Sequence, residues 1–156
     1  MRTTAIDNER RSTHLIMSEH IDVQRLWRGW SRTPIHDFVE MDLVEWDQAK
    51  GTVRFSVPFK TKYRRHPKHQ GYHGGVLATI VDVAADFALT LTSEQLGLPT
   101  IDLRVDYLRV AKDSGLDVVA RTLKSGRTIG VADVEVFDSD ARLCVVGRGT
   151  YAMISS

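Results

Sequence analysis

Residues 71–86 read GYHGGVLATIVDVAAD, and this stretch decides how the rest of the sequence is interpreted. Two adjacent glycines follow a histidine and open a run that is apolar on every side. Two aspartates, Asp82 and Asp86, lie inside that run, four residues apart. An unpaired carboxylate in an apolar setting is unstable or becomes neutral, so each aspartate needs a partner or a function.

The apolar run predicts one long helix from about residue 75 to residue 95, ending near the GLP of residues 97–99. The residues that leave it without a broad polar stripe are Val76, Leu77, Ile80, Val81, Ala84, Ala85, Phe87, Ala88 and Leu91. A helix of this kind is enclosed by other structure. Either a sheet that curls around it or a second subunit satisfies this requirement.

Segments on both sides of this helix have the alternation of β-strands. From about residue 36 to residue 61 the pattern is that of strands, and Pro58 indicates a free edge or a bulge. After the helix, TIDLRVDYLRV places alternate residues on one face, namely Ile101, Leu103, Val105 and Tyr107. Three further strands follow in LDVVARTLK, TIGVADVEVF and RLCVVGRGTYAMI. The order β-β-α-β-β-β-β predicts an α+β fold in which an antiparallel sheet wraps around a central helix.

Two segments fall outside this pattern. Residues 1 to about 20 are polar and predict an arm or a short, weakly packed helix. A helical face then follows, formed by Ile21, Leu26 and Trp30. YRRHPKHQGYHGG, residues 63–75, predicts a basic loop. We therefore expect an N-terminal arm with a short helix over residues 1–35 and one domain over residues 36–156.

Composition limits the classes of function. The chain of 156 residues is 42% hydrophobic and 26% charged, with a formal net charge of +1, so no overall field attracts nucleic acid or a membrane. The single cysteine, Cys144, excludes an internal disulfide framework and a four-cysteine zinc site, and we expect it to pack in the core. No secretion signal is recognisable and no segment approaches a membrane span, so we expect a cytoplasmic protein.

HGGVLATIVD resembles the helix opening of hotdog-fold acyl-CoA thioesterases, particularly the PaaI-like group of phenylacetic acid degradation. In that group an aspartate lies nine positions after the histidine, as Asp82 does after His73. PTIDLRVDYLRVA, SGRT and GRGTY resemble the strands after the helix, and the resemblance covers roughly residues 36–154. It implies a hotdog fold and the hydrolysis of acyl-CoA thioesters. It also implies a homodimer at minimum, extending to a homotetramer, and no metal or other cofactor, because CoA arrives with the substrate.

The two glycines are suited to holding a thioester carbonyl. Gly74 and Gly75 let a substrate approach the main chain, and the N–H groups of a helix N-terminus stabilise the negative charge that develops on the carbonyl oxygen. The alternative is that they only allow close packing of the helix against the sheet. His73 likewise either contacts the substrate or only caps the helix.

Asp82 is the candidate general base or nucleophile, and the alternative is a salt bridge to an arginine. It lies eight residues after Gly74, about 12 Å along the helix, so one helix cannot bring both to a single carbonyl. Two helices packed antiparallel in a dimer can, and the spacing therefore predicts a site shared between subunits. Thr100 matches the position where related enzymes place Ser or Thr beside the carboxylate. Its hydroxyl either holds the attacking water or belongs to a residue that simply favours strands.

Further residues are candidates for binding the substrate. Asp86 stands where the family usually has a small residue; it either pairs with a basic side chain at the dimer interface or recognises a polar acyl group. Some members carry an asparagine upstream of the histidine; none occurs between residues 61 and 73, which leaves Gln70 or His69 in that role. The candidates for binding CoA phosphates, which are otherwise solvated loop residues, are Arg64, Arg65, Lys68 and Arg127. Gly126 and Thr128, in the same SGRT segment as Arg127, are further candidates for binding the substrate.

Two other functions remain open. A hotdog hydratase or dehydratase would favour a histidine base that faces an acid across the site, whereas the only histidine of the motif precedes the glycines. A non-catalytic acyl-CoA-binding protein would not need Asp82 inside the helix. Nucleic-acid binding is disfavoured because the chain lacks overall positive charge and the common motifs.

Overall fold

One long helix packs against a six-stranded antiparallel sheet. The computed structural model describes residues 22–153. The helices are α1 (Val23–Trp30), α2 (Pro34–Val39) and α3 (Gly74–Ser93). The strands are β1 (Asp42–Asp47), β2 (Thr52–Val57), β3 (Arg64–His66), β4 (His69–Tyr72), β5 (Thr100–Tyr107), β6 (Leu116–Ser125), β7 (Ile129–Phe137) and β8 (Leu143–Ala152). The main sheet has the order β1-β2-β6-β7-β8-β5, and β3 and β4 form a separate ribbon. The predicted α+β architecture with a hotdog arrangement is confirmed.

Helix α3 is enclosed, as its apolar sequence predicts. Every apolar residue named for it in the sequence analysis is buried. The helix ends at Ser93 because Glu94 adopts a left-handed conformation, with φ of 61°, and its N–H bonds to Thr90. By length and composition α3 could cross a membrane, so the statement that no segment approaches a membrane span was wrong on those two criteria. Its apolar surface is explained by packing, since 67% of the apolar window is buried inside the fold.

Two strand glycines bring the sheet into direct contact with α3. A Cβ atom at Gly147 on β8 would overlap the side chain of Val81, and one at Gly130 on β7 would lie 2.9 Å from Leu89. A side chain at either place would force its neighbour on the helix to shift, so the two glycines allow this close approach. The sheet therefore lies against the helix along both of its halves.

The region before the central helix differs from the prediction in two places. Residues 34–39 form the helix α2, not a strand, because Pro34 at its first turn has the φ angle of a helix, and Glu40 in a left-handed conformation ends it. Strand β2 has the predicted alternation, but it ends at Val57, directly before Pro58, and it pairs with both β1 and β6. Pro58 therefore terminates the strand and does not mark a free edge.

The basic segment predicted as a loop is a short β-ribbon. A 3₁₀ turn at Thr61–Tyr63 leads into β3, which pairs antiparallel with β4. Tyr63 and Tyr72 are buried in this ribbon, with ring centroids 5.9 Å apart, and they anchor it to the core. The sequence did not reveal the two strands, because Pro67 and Gly71 suggested a loop.

Helix α1 contributes an aromatic cluster to the core. Its buried face consists of Val23, Trp27 and Trp30, so the predicted face missed Trp27, and Ile21 lies outside the described residues. The arm predicted over residues 1 to about 20 lies outside them too, and the division of the chain at residue 35 stays a prediction. Phe87 of α3 contacts Trp27, with centroids 4.9 Å apart, and Trp30, with centroids 5.1 Å apart. Cys144 is buried in the core, as expected.

Replacing Phe87 with alanine should lower the free energy of unfolding by about 3–5 kcal/mol, because the ring is fully buried among aromatic neighbours that cannot close the resulting cavity. Urea denaturation at a fixed protein concentration measures this loss. Phe38→Ala is the matched control, since the Phe38 side chain is 38% exposed and its loss should be much smaller. Equal losses in the two variants would contradict the central position of Phe87.

Candidate active site

The N-terminus of α3 offers one main-chain N–H group to a ligand. The ring Nδ1 of His73 accepts a hydrogen bond from the Gly75 N–H, at 3.0 Å, and the carbonyl of His73 accepts from Val76 and Leu77. Among residues 22–153, no acceptor bonds the N–H of Gly74. Of the two predicted oxyanion donors, Gly74 is therefore the one that is available, while Gly75 serves the cap. His73 caps the helix, which is one of its two predicted roles.

Tyr107, which the sequence analysis did not assign to the site, holds this turn in place. Its hydroxyl donates a hydrogen bond to the carbonyl oxygen of Gly74, at 2.8 Å. Tyr107 is the last residue of β5, and its side chain is 52% exposed. The last residue of the edge strand β5 is therefore attached to the first residue of α3.

Two hydroxyl groups hold the carboxylate of Asp82. Thr100 donates to Oδ1 at 3.0 Å, and the Tyr151 hydroxyl lies 2.8 Å from the same atom and 2.9 Å from the Asp82 carbonyl. Burial, together with the charge of Asp82, raises the pKa of Tyr151 well above its usual value, so the phenol remains a donor. The predicted proximity of Thr100 is confirmed. Tyr151 was missed, although the closing GRGTY contains it, because its distance from Asp82 along the chain gives no signal of contact.

Asp82 has no basic partner within the described part of the chain, which removes the predicted alternative of a salt bridge inside one subunit. The residue is half-buried, not fully enclosed. Helix α3 is continuous from Gly74 to Asp82, so the two lie about 12 Å apart along its axis, as the spacing predicts.

Asp86 lies one turn further along α3 and is half-buried like Asp82. Its Oδ1 has no hydrogen-bond partner among the described residues. Burial is the main cause that raises the pKa of Asp86 to about 7; the nearby charge of Asp82 raises it further, and a hydrogen bond from the Leu98 N–H opposes the rise. No basic side chain of the described chain pairs with Asp86. A basic partner from a second subunit stays a prediction.

Both aspartates line one cavity of about 510 Å³ beside α3. Its other lining residues are Ile35, His36, Ala78, Thr79, Val83, Gly97, Leu98, Thr100 and Leu103. The volume is that of a small-molecule pocket. The walls combine apolar and polar side chains, and among the described residues the two carboxylates and one histidine are their titratable groups.

The basic candidates for CoA phosphates fall into two groups at opposite ends of α3. Arg64, in the ribbon before the helix, is already paired with Asp113, and Arg65 donates to the carbonyl of Gln70, an exposed residue on β4. The turn that contains Gly126, Arg127 and Thr128 precedes Gly130, which contacts Leu89 near the other end of the helix. One chain therefore does not bring the two groups together.

Comparison with known proteins assigns the family. The thioesterase superfamily model matches residues 69–145. A Halobacterium salinarum protein assigned as an esterase is 32% identical over 115 residues, which span 67% of this chain and 76% of that protein. The chain belongs to the thioesterase superfamily.

Other members of the superfamily agree with this assignment. The medium/long-chain acyl-CoA thioesterase YigI of Salmonella typhimurium is 32% identical over 93 residues, which span 51% of this chain and 60% of YigI. The structure of the Escherichia coli PaaI protein from the phenylacetic acid degradation operon superposes with a TM-score of 0.70 at 20% identity, covering 85% of this chain and 93% of PaaI. At that identity PaaI supports the fold alone. As a thioesterase-superfamily member, the protein is a thioester hydrolase.

Asp86 should make this thioesterase less stable as the pH rises. Its pKa is about 7 in the folded protein and about 3.8 in the unfolded chain, so the raised pKa favours folding fully below pH ~4, and that contribution is lost as the pH rises through ~7. Compared with Asp86→Asn, the unmodified protein should therefore lose up to about 4 kcal/mol of unfolding free energy between pH ~4 and ~8. Urea denaturation of both proteins across this range measures the difference.

Asp82 and His36, the other titratable groups of the cavity, are present in both proteins, so the difference isolates Asp86 to first order. A difference in unfolding free energy that stays constant from pH ~4 to pH ~8 would show that the carboxyl does not titrate in this range.

Proposed function

We propose that the protein is an acyl-CoA thioesterase whose active site forms between two subunits. The observation that carries the proposal is the arrangement on α3: Asp82 is held by two hydroxyl groups, and the unbonded N–H of Gly74 lies about 12 Å away on the same helix. Asp82 suits the activation of water or direct attack, and the Gly74 N–H suits stabilisation of the thioester oxygen. The two groups can act on one thioester only if a second copy of the chain supplies one of them.

In the proposed reaction, the Gly74 N–H binds the thioester oxygen and stabilises the negative charge that forms there. Water adds to the carbonyl carbon while the Asp82 carboxylate takes its proton. The carbon–sulfur bond then breaks, CoA leaves as its thiol after receiving a proton, and the free acid remains. The same geometry allows Asp82 to attack directly, with water then hydrolysing the mixed anhydride. Thr100, whose hydroxyl touches Asp82, is placed to orient the water in either route.

The edge strand β5 explains how two subunits complete the site. Thr100 at its start contacts Asp82, and Tyr107 at its end contacts Gly74. If β5 pairs antiparallel with the β5 of a second copy, the start of one strand lies beside the end of the other. Such a pairing carries the Asp82 of each subunit towards the Gly74 of its partner.

Exposed apolar side chains support pairing along β5. Within residues 22–153, this strand pairs with β8 on one side and with no strand on the other. Large apolar residues are exposed on and directly after it, namely Ile101, Tyr107, Leu108 and Val110. An apolar, unpaired edge is a site for association with another chain. The proposed protein is therefore a homodimer at minimum, and assembly of dimers into a homotetramer follows from the family resemblance.

The antiparallel pairing also joins the two basic groups. With Gly74 opposite the partner's Asp82, the far end of the partner's α3 lies beside the ribbon of β3 and β4. The partner's Arg127 and the Arg65 of this chain then lie at the same end of the site, where their guanidinium groups are suited to CoA phosphates. We propose CoA esters as the substrate class on this basis and on the similarity to YigI, and the proposed reaction uses no metal and no cofactor other than the CoA of the substrate.

The purified protein should release free CoA from a panel of aromatic, short-chain, medium-chain and long-chain acyl-CoA esters. Asp82→Asn should lower kcat by about 10²–10⁴, the usual effect of removing a general base, without unfolding the protein. The matched control is Asp42→Asn, because Asp42 is exposed on β1, at the opposite edge of the sheet from β5. Thiol release by Asp82→Asn at the rate of the control would disprove the role of Asp82. Binding of acyl-CoA esters by the unmodified protein without their hydrolysis would disprove the proposed thioesterase activity.

A mixed dimer tests whether the site is shared. Asp82→Asn and Gly74→Val should each inactivate a homodimer, because both of its sites carry the defect. A Cβ at residue 74 would lie 3.5 Å from the Tyr107 ring, an ordinary contact, so the replacement should act on substrate approach more than on folding. The heterodimer joins the intact Gly74 of one chain to the intact Asp82 of the other and should recover up to about half of the full activity.

Purification through two different affinity tags isolates the heterodimer for the activity measurement. Circular dichroism of each species establishes that it is folded. Folded heterodimers as inactive as their two parents would contradict a site built from both chains.

A further inference from the structure

One segment of the chain, residues 107–114, contacts the turn that presents the Gly74 N–H. The segment runs from the last residue of β5 towards β6. Tyr107 hydrogen-bonds the Gly74 carbonyl, and the Ala111 carbonyl accepts from the Tyr72 N–H, at 3.1 Å. These contacts fix main-chain atoms on both sides of the start of α3, so the position of the turn depends on this segment.

Asp113, in the same segment, makes a further contact through its side chain. Its Oδ1 accepts a hydrogen bond from the Gly71 N–H, at 2.7 Å, and its Oδ2 pairs with the guanidinium of Arg64 on β3. The Asp113 side chain is only 14% exposed. A hydrogen bond from a main-chain N–H to a charged acceptor is stronger than one between neutral groups. The carboxylate therefore attaches the ribbon of β3 and β4 firmly to residues 107–114.

The main chain at Gly71 is fixed from two directions. Gly71 has a φ of 107°, and a Cβ there would overlap Val110 and lie 3.0 Å from the Ala111 carbonyl oxygen. This close contact prevents movement towards the segment, and the hydrogen bond to Asp113 prevents movement away from it. Gly71 precedes Gly74 by three residues, so a shift at Gly71 is transmitted to the start of α3 through a short stretch of chain.

The same contacts distinguish two neighbouring arginines. The guanidinium of Arg64 pairs with Asp113 and lies over the Phe59 ring, 5.7 Å from its centroid, and 29% of the side chain is exposed. Arg65 is exposed and remains suited to a phosphate. Arg64 therefore orients the Asp113 carboxylate, and neither of these two residues lines the cavity beside Asp82.

We infer that Asp113 is a positioning residue for thioester hydrolysis, which fixes the main chain before α3 so that the Gly74 N–H reaches the thioester oxygen. The inference rests on the proposed function for the role of this N–H group. A donor to a developing oxyanion acts over about 2.7–3.1 Å, and a misplacement of about 1 Å lowers a rate by up to about 10²-fold. Asp113 thus acts on the reaction without touching the substrate.

Asp113→Ala should lower kcat about 10- to 100-fold and leave KM unchanged, because it displaces a group that acts in the transition state. Hydrolysis of the acyl-CoA ester that the unmodified protein cleaves fastest measures both constants. Asp113→Asn should keep most of kcat, since its amide oxygen still accepts from the Gly71 N–H. Both variants lose the ion pair with Arg64, so a role in stability alone predicts the same loss of activity in both.

Lys112→Ala is the matched control for this loop. Lys112 adjoins Asp113, is exposed, and pairs with Asp140 and not with the ribbon. The control should keep the kcat and KM of the unmodified protein. Urea denaturation of all three variants establishes that each is folded under the conditions of the activity measurement.

Hydrogen exchange tests the position of the turn without any turnover. Asp113→Ala should speed the exchange of the amide protons of residues 71–74 about 10-fold, because the Gly71 N–H loses its bond to a charged group. Mass spectrometry of peptides that cover residues 70–75 measures this change. Asp113→Asn and Lys112→Ala should exchange at rates close to those of the unmodified protein.

Equal loss of kcat in Asp113→Ala and Asp113→Asn would overturn the inference, and so would unchanged exchange in Asp113→Ala. A rise in KM with kcat unchanged would overturn it too, because the ribbon would then serve substrate binding alone. Hydrolysis by Asp113→Ala at the unmodified rate overturns the positioning role and leaves the proposed function standing. Absence of thioester hydrolysis by the unmodified protein overturns the proposed function, and the positioning role with it.

Discussion

Enclosure of α3 by the sheet is the constraint on which the rest of the structure depends. Glycines in β7 and β8 let the sheet lie directly against the helix, so most of its surface is inaccessible. The side that faces the cavity holds both carboxyl groups of the helix, Asp82 and Asp86, one turn apart. Because the helix is rigid, the distances between its N-terminus and the two carboxyl groups are set by helical rise alone.

The edge strand β5 contacts both parts of the proposed site on this helix. Its first residue, Thr100, touches Asp82, and its last residue, Tyr107, touches the Gly74 carbonyl. The strand therefore runs alongside the functional part of the helix and is itself unpaired on its outer side. The same strand thus contacts the residues of the proposed site and offers an edge for association. A change in the pairing of this edge would move both ends of the site, so dimer formation and the proposed chemistry would be coupled.

The sequence predicted the central helix and the strands after it well because their signals are long and periodic. The six residues of α2 were missed, since PIHDFV is too short for helical periodicity and its start depends on Pro34. The ribbon at 64–72 was missed because its glycine and proline suggested a loop. Within the site, spacing on one helix predicted the separation of Gly74 and Asp82. The sequence pattern cannot show the contact between Tyr151 and Asp82, because it arises only when β8 packs against α3 in the folded protein.

Asp82 and Asp86 are identical side chains on one helix that lie in different environments. The carboxylate of Asp82 accepts hydrogen bonds from Thr100 and Tyr151, which fix its direction. Asp86 lacks such donors on its Oδ1, and burial raises its pKa to about 7. In the proposed reaction, the oriented carboxylate of Asp82 is suited to proton transfer or nucleophilic attack. The two side chains are identical, and their environments differ over a single helical turn.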